Sequence, residues 1–269
     1  MNLDLKNKVI VVTGGASGIG TAIVRNCGQE GAFPVIVDRD ESAAENLKRQ
    51  LHAEGVESEV IAVDLCEIGE STRALKDMTN RVGRLDGLVN NAGVNDGVGL
   101  EHGSPERFAA SFKSNFAHYY TMKEAALPYL IQSKGVIVNI SSKVAITGQG
   151  GTSGYAAAKG AILGASIEWA AELAEYGIRV NAVIPAEVRT PQYERWLQSF
   201  ENPEERLRSI EAKIPLHARM TEPEEVAAMV VFLLSPKSAG ITGQQLFVDG
   251  GYIHLDRALT FANFPGMTR

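Results

Sequence analysis

Sulfur is scarce in this chain: 269 residues carry two cysteines, Cys27 and Cys66, with no C-x-x-C pair. That usage excludes a disulfide-stapled scaffold and fits buried thiols in a reducing compartment. The five histidines, His52, His102, His118, His217 and His254, show no metal-ligand spacing, so no metal centre is expected. No apolar run approaches the roughly 18 residues of a membrane span. The polar start, Met1 to Lys8, runs directly into a strand and has no signal-peptide pattern. A soluble cytoplasmic protein is the expectation. Net charge is −6 and the basic residues form no cluster, which argues against nucleic acid or an anionic membrane as partner. Proline-rich linkers, low-complexity tracts and internal repeats are missing as well. Hydrophobic residues at 45% and charged residues at 22% are ordinary for a globular domain, and the length suffices for a full core.

What remains is an alternation of short β-branched runs with helical patterns, which argues for one α/β domain with a parallel sheet. Strands are predicted at Lys8–Val12, Pro34–Val37, Val60–Val63, Leu85–Val89, Val136–Ile140, Arg179–Ile184 and Gln245–Val248. One long helix is predicted over Pro105–Lys134, with polar Asn115 amid apolar neighbours. Residues 185–220 break the pattern with proline, charge, Tyr193, Trp196 and Phe200, and are expected to form a helical lid over a substrate or a solvated helix pair. Thr221 through Glu225 reads as a helix start with a threonine cap. The expected catalytic domain ends at 251, and a tail occupies 252–269.

The first predicted strand ends in Thr13-Gly14-Gly15-Ala16-Ser17-Gly18-Ile19-Gly20, and a helix follows. Strand, glycine turn and helix are the context in which a backbone approaches a pyrophosphate at a helix N-terminus. The spacing is G-x-x-x-G-x-G, not the commoner G-x-G-x-x-G. Eighteen residues after Gly20 stands Asp38, which can accept hydrogen bonds from adenosine ribose hydroxyls and repel a 2′-phosphate. NAD is therefore favoured over NADP. Arg39 is the one residue that could instead clasp a 2′-phosphate, and Asp38 could serve only as a helix cap.

The densest stretch runs from Val138 to Gly160. Its strand delivers Ser141 and Ser142, a glycine-rich loop follows, and a helix opens with Tyr155 and Lys159. The last two share a helix face. A phenol near pKa 10 is a poor base, but a neighbouring ammonium favours its ionised form. Ser142 would donate to the same substrate oxygen. The set suits alcohol–carbonyl interconversion with a cofactor carrying the electrons.

Taken in order, TGGASGIG at 13–20, Asp64, NNAG at 90–93, NISS and YAAAK at 155–159 resemble the short-chain dehydrogenase/reductase family across essentially the whole chain to Gly251. The resemblance implies a Rossmann-like, doubly wound sheet of about seven strands and a homotetramer built through the helices of Asn115 and Tyr155. It implies Tyr155 as general acid/base, Lys159 as its activator and ribose ligand, Ser142 as the catalytic serine and Asn115 as the anchor of a relay water. Gly14, Ser17, Gly18, Ile19 and Gly20 would meet the pyrophosphate, and Asp64 and Leu65 the adenine. Asn91, Ala92 and Gly93 would lie beside the adenosine ribose, and Pro185 and Val188 near the nicotinamide.

The family usually has Pro-Gly after the sixth strand, whereas this chain has Pro185-Ala186-Glu187. Glu187, Asn95, Lys143, Gln149 and Trp196 are candidate substrate ligands, and their polarity suits a polyhydroxylated substrate better than a steroid or fatty-acyl chain. Some of them could instead pair with each other. NNAGVNDG, SSKVAITGQG, IPAEV and VDGGYIHLDRALT are similar to the L-fucose dehydrogenase branch of the family, which implies oxidation of an aldose to its lactone. In the tail, His254, Asp256 and Arg257 are candidates for closing a site.

Overall fold

The computed structural model describes residues 2–255. Seven strands, β1 (Val9–Thr13), β2 (Phe33–Asp38), β3 (Glu59–Ala62), β4 (Gly87–Asn90), β5 (Val136–Ile140), β6 (Arg179–Pro185) and β7 (Gln245–Val248), form one sheet in the order 3-2-1-4-5-6-7. All six pairings are parallel. The helices are α1 (Gly18–Gln29), α2 (Glu41–Ala53), α3 (Ile68–Val82), α4 (Pro105–Phe112), α5 (His118–Ser133), α6 (Ser153–Leu173), α7 (Pro191–Leu197), α8 (Pro203–Glu211) and α9 (Pro223–Leu234).

Continuous β-branched runs suit a sheet covered on both faces, and every residue of β1 and β5 is buried. Successive side chains alternate across the sheet. Ile10 and Val12 enter one core with Ile23 of α1, Leu47 of α2 and Val230 of α9. Val9 and Val11 enter the other with Leu75 of α3, Met122 of α5 and Ile162 of α6. Chain order reverses at β1, whose neighbours are β2 and β4. Ligands of open α/β sheets bind outside the carboxyl ends of the strands at such a reversal.

Three local expectations are corrected. The helix expected over 105–134 is divided by a π turn, Lys113–Ala117. Asn115 Nδ2 donates to the Ser111 carbonyl at 2.9 Å, competing for the acceptor that a regular helix would use. The cap of α9 is Glu222, not Thr221: Pro223 takes the first helical position, and Glu222 and Glu225 form a reciprocal capping box. Thr221 is instead buried against Val188. Its N–H donates to the Glu187 carbonyl, and its own carbonyl accepts from Arg189 N–H, both at 2.9 Å. The excursion holding α7 and α8 is thus clasped where it leaves and rejoins the sheet domain. Finally, Cys27 is buried but Cys66 is only partly so. In the tail, His254 packs its ring edge-on against Phe247 of β7, centroids 4.4 Å apart; Asp256 and Arg257 lie outside the described residues.

Candidate active site

The carboxyl ends of β1, β2 and β4 converge on the glycine turn. Gly14 has a φ of +63°, and a Cβ there would lie 2.9 Å from Ala92 Cα. At Gly20 a Cβ would lie 1.9 Å from the Gly14 carbonyl oxygen. A side chain fits at neither position, so backbone alone faces the space above the turn. Asn91 fastens the arrangement, its Nδ2 donating to the carbonyls of Thr13 at 2.9 Å and Gly14 at 3.2 Å. Asp38 Oδ2 accepts from Ala16 N–H at 3.0 Å, and Oδ1 from Asp40 N–H at 3.1 Å. Asp38 therefore braces the turn; the cap of α2 is Asp40, which accepts from Ala43 N–H. Ser17, at the start of α1, makes no side-chain cap bond.

A single cleft of about 1340 Å³ runs from this turn to α6 and the α7–α8 excursion. It exceeds the roughly 300–1,000 Å³ of ordinary ligand pockets and has room for a dinucleotide and a second small molecule. The bare glycine backbone, the N-terminus of α1 and the carboxylate of Asp38 are the features a dinucleotide needs at one end. Of the catalytic, cofactor and substrate candidates ahead of the tail, all but Gly20 and Asn115 line this cleft. Gly20 lies buried in α1. Asn115 is wholly buried, its Oδ1 accepting from Val94 N–H at 2.7 Å. Its side chain shapes the cleft from behind.

At the other end, β5 delivers Ser141 inward, where its hydroxyl donates to the Lys159 carbonyl at 2.8 Å. Ser142 faces the cleft and hydrogen-bonds the Tyr155 oxygen. Lys159 Nζ donates to the Ile140 carbonyl at 2.8 Å and to Tyr119 Oη at 3.1 Å. Tyr119, buried one turn beyond Asn115, is absent from the sequence candidates although it shares that helix face. The expected lowering of the Tyr155 pKa is not what this geometry produces. Burial pushes the phenol up to about 12, against the pull of the Ser142 bond, and pushes Lys159 down to about 7. Lys159 is buried and Tyr155 half-buried in the cleft wall, and the ammonium is turned toward Ile140 and Tyr119. Desolvation outweighs their attraction.

The wall above this centre is polar. Lys143 Nζ and Glu187 Oε1 form an ion pair with side chains 8% and 13% exposed. Lys143 Nζ also lies 4.2 Å from the ring centroid of Tyr252, at the start of the tail. Tyr193 hydrogen-bonds Glu187, which with burial holds its phenol protonated far above the usual range. Beyond it, Trp196 meets Tyr193 and Phe200 edge-on, with centroids 5.1 and 4.8 Å apart. Both sequence alternatives hold here, since Lys143 and Glu187 line the cleft and also pair. Asn95 and Gln149 lie exposed at its rim. Removing one partner of such a pair strands a buried charge, at a cost of about 3–5 kcal/mol. Glu187→Leu should therefore lower the thermal midpoint markedly, and Lys143→Met/Glu187→Leu together should restore most of it. Additive losses in calorimetry would count against the coupling.

The family model described as enoyl-(acyl carrier protein) reductase matches residues 14–253. The chain is 38% identical to L-fucose dehydrogenase of Bos taurus over 93% of its length and 91% of the relative's. It is 35% identical to the 3-oxoacyl-acyl-carrier-protein reductase of Thermotoga maritima, over 93% of its own length and 100% of that protein. Among solved structures, Cj0485 dehydrogenase superposes with a TM-score of 0.92 at 45% identity, covering 97% of this chain and 100% of that one. With its sheet order, glycine turn and Ser142, Tyr155 and Lys159 on one cleft, this chain belongs to the short-chain dehydrogenase/reductase family, oxidoreductases that act on hydroxyl and keto groups with a nicotinamide cofactor.

Proposed function

We propose that the protein oxidises the anomeric hydroxyl of an aldose, L-fucose or a close stereochemical relative, to the lactone with NAD. The observation that carries this reading is the polar wall of Lys143, Glu187 and Tyr193 beside Ser142 and Tyr155. A steroid or acyl chain against that wall would desolvate charged groups and return no hydrogen bonds. A sugar has hydroxyls to offer them, and Trp196 adds an aromatic face at the rim. The similarity to L-fucose dehydrogenase supports the same substrate class.

In the oxidative direction the substrate hydroxyl lies between Ser142 and Tyr155. Ser142 orients it, and Tyr155 exchanges protons with its oxygen. Lys159, brought by burial to about 7, is the cleft group whose charge changes near neutrality, so it takes up the proton balance. A bound nicotinamide would supply the acceptor for the hydride, two electrons and one hydrogen, that leaves the carbon. Lactone hydrolysis then draws the reaction forward.

Initial rates with NAD and NADP in parallel test the reading on L-fucose, D-arabinose, L-galactose, L-rhamnose, a hydroxysteroid and a 3-hydroxyacyl thioester. Saturable NAD-linked turnover of L-fucose and its relatives is expected; turnover of the steroid or thioester alone overturns the sugar assignment. Asp38→Ala tests the cofactor preference. Loss of charge-assisted bonds to the ribose should weaken NAD about tenfold or more while improving use of NADP. An unchanged NAD/NADP ratio would remove Asp38 as the discriminator.

A further inference from the structure

His118 takes no part in the chemistry described above, yet it borders the cleft beside Ser114. The residue is 1% exposed. Its Nε2 lies 3.1 Å from the Ser114 carbonyl, so that nitrogen carries the hydrogen and Nδ1 keeps a lone pair. Nδ1 has no partner among the described residues. Leaving a buried acceptor unsatisfied costs about 1–3 kcal/mol, and native proteins retain few such groups.

The surroundings narrow what could satisfy it. The ring rests against Tyr119, centroids 4.8 Å apart. The charged groups that face it are Lys159 from α6 and Asp64 from the loop after β3. Burial and Lys159 lower the imidazole pKa to about 4, against opposing contributions from Ser114 and Asp64. The ring is therefore neutral at physiological pH, and what Nδ1 requires is a donor. Lys159 marks the catalytic end of the cleft, and Asp64 and Leu65 line the end near Asp38. A phosphate between them has no hydrogen to give at neutral pH. A ribose hydroxyl does.

We propose that His118 positions the cofactor, with Nδ1 accepting a hydrogen bond from a ribose hydroxyl of the bound nicotinamide dinucleotide. The neutral imidazole thus selects for a hydroxyl donor where a cationic residue would draw a phosphate. The role is binding and not chemistry, so it is read by affinity.

The test is calorimetric titration of the wild type, His118→Phe and His118→Asn with NAD and with ADP-ribose at pH 7.5. Phe keeps the ring shape without an acceptor; Asn restores an acceptor near the Nδ1 position. His118→Phe should weaken both ligands about fivefold to tenfold, and His118→Asn should recover most of that loss. Wild-type affinity in His118→Phe would overturn the proposal. So would equal losses in both variants accompanied by equal drops in thermal midpoint, which would mark the ring as packing alone.

Discussion

Lys159→Met is expected to abolish turnover and to raise thermal stability. Lys159 is 2% exposed, and burial brings its amine from 10.5 to about 7. In the unfolded chain the same amine titrates at its ordinary value. Between about pH 7 and 10.5 the unfolded state holds more protons than the native state, so stability rises with pH across that window. Below pH 7 the native state bears the full penalty of a desolvated ammonium, on the order of a few kcal/mol at about 1.4 kcal/mol per pKa unit. Methionine fills similar volume without charge. The Ile140 carbonyl keeps its bond from Tyr119 Oη at 2.9 Å, so no backbone acceptor is stranded. The thermal midpoint should therefore rise by several degrees at pH 7, and the gap to wild type should close toward pH 10. A variant no more stable than wild type anywhere between pH 6 and 10 would show that the amine is better compensated than its burial implies. Stability and activity pull in opposite directions at this residue.

Tyr155→Phe should reduce turnover by about 100-fold to 10,000-fold, the range attached to a positioned proton-transfer group. NAD affinity should change by less than about twofold, because the phenyl ring keeps its place. With the phenol held at about 12 and Lys159 at about 7, the wild-type rate for oxidation should rise through neutrality and then level, with no second inflection below pH 10. Single-turnover measurements separate chemistry from product release and check both statements. If the phenylalanine variant retains more than about a tenth of the wild-type rate, the hydroxyl is not the proton carrier.

Much of this is legible in the chain itself. The parallel sheet follows from β-branched runs too uniformly apolar for a one-sided sheet. The glycine turn is identifiable because Gly14 and Gly20 tolerate no side chain for a steric reason that spacing reveals. Tyr155 and Lys159 are visible as an i, i+4 pair. Spacing does not reveal how burial divides the proton between them, because desolvation depends on neighbours distant in the chain such as Ile140 and Tyr119. Nor does it reveal that the Asn115 side chain holds Val94 N–H and the Ser111 carbonyl, partners set by the fold. In the sequence His118 is only a histidine without a metal partner; its orphaned nitrogen emerges once the Ser114 carbonyl is seen to occupy the other. Thr221 reads as a helix cap because threonine is a good one; Pro223 and Glu225 shift the frame by one residue.

The clasp between residues 187–189 and Thr221 has a consequence for how substrate choice is inherited. With both ends fixed to each other, whatever lies between them can be rewritten without tension reaching the sheet. Arg189 adds a second fastening inside the neck through Glu211 at 3.1 Å. The catalytic groups and the glycine turn stand outside that bracket, while Tyr193 and Trp196 stand within it. Under the substrate reading proposed above, the side chains that meet the substrate from this excursion can therefore change without moving the groups that perform the reaction.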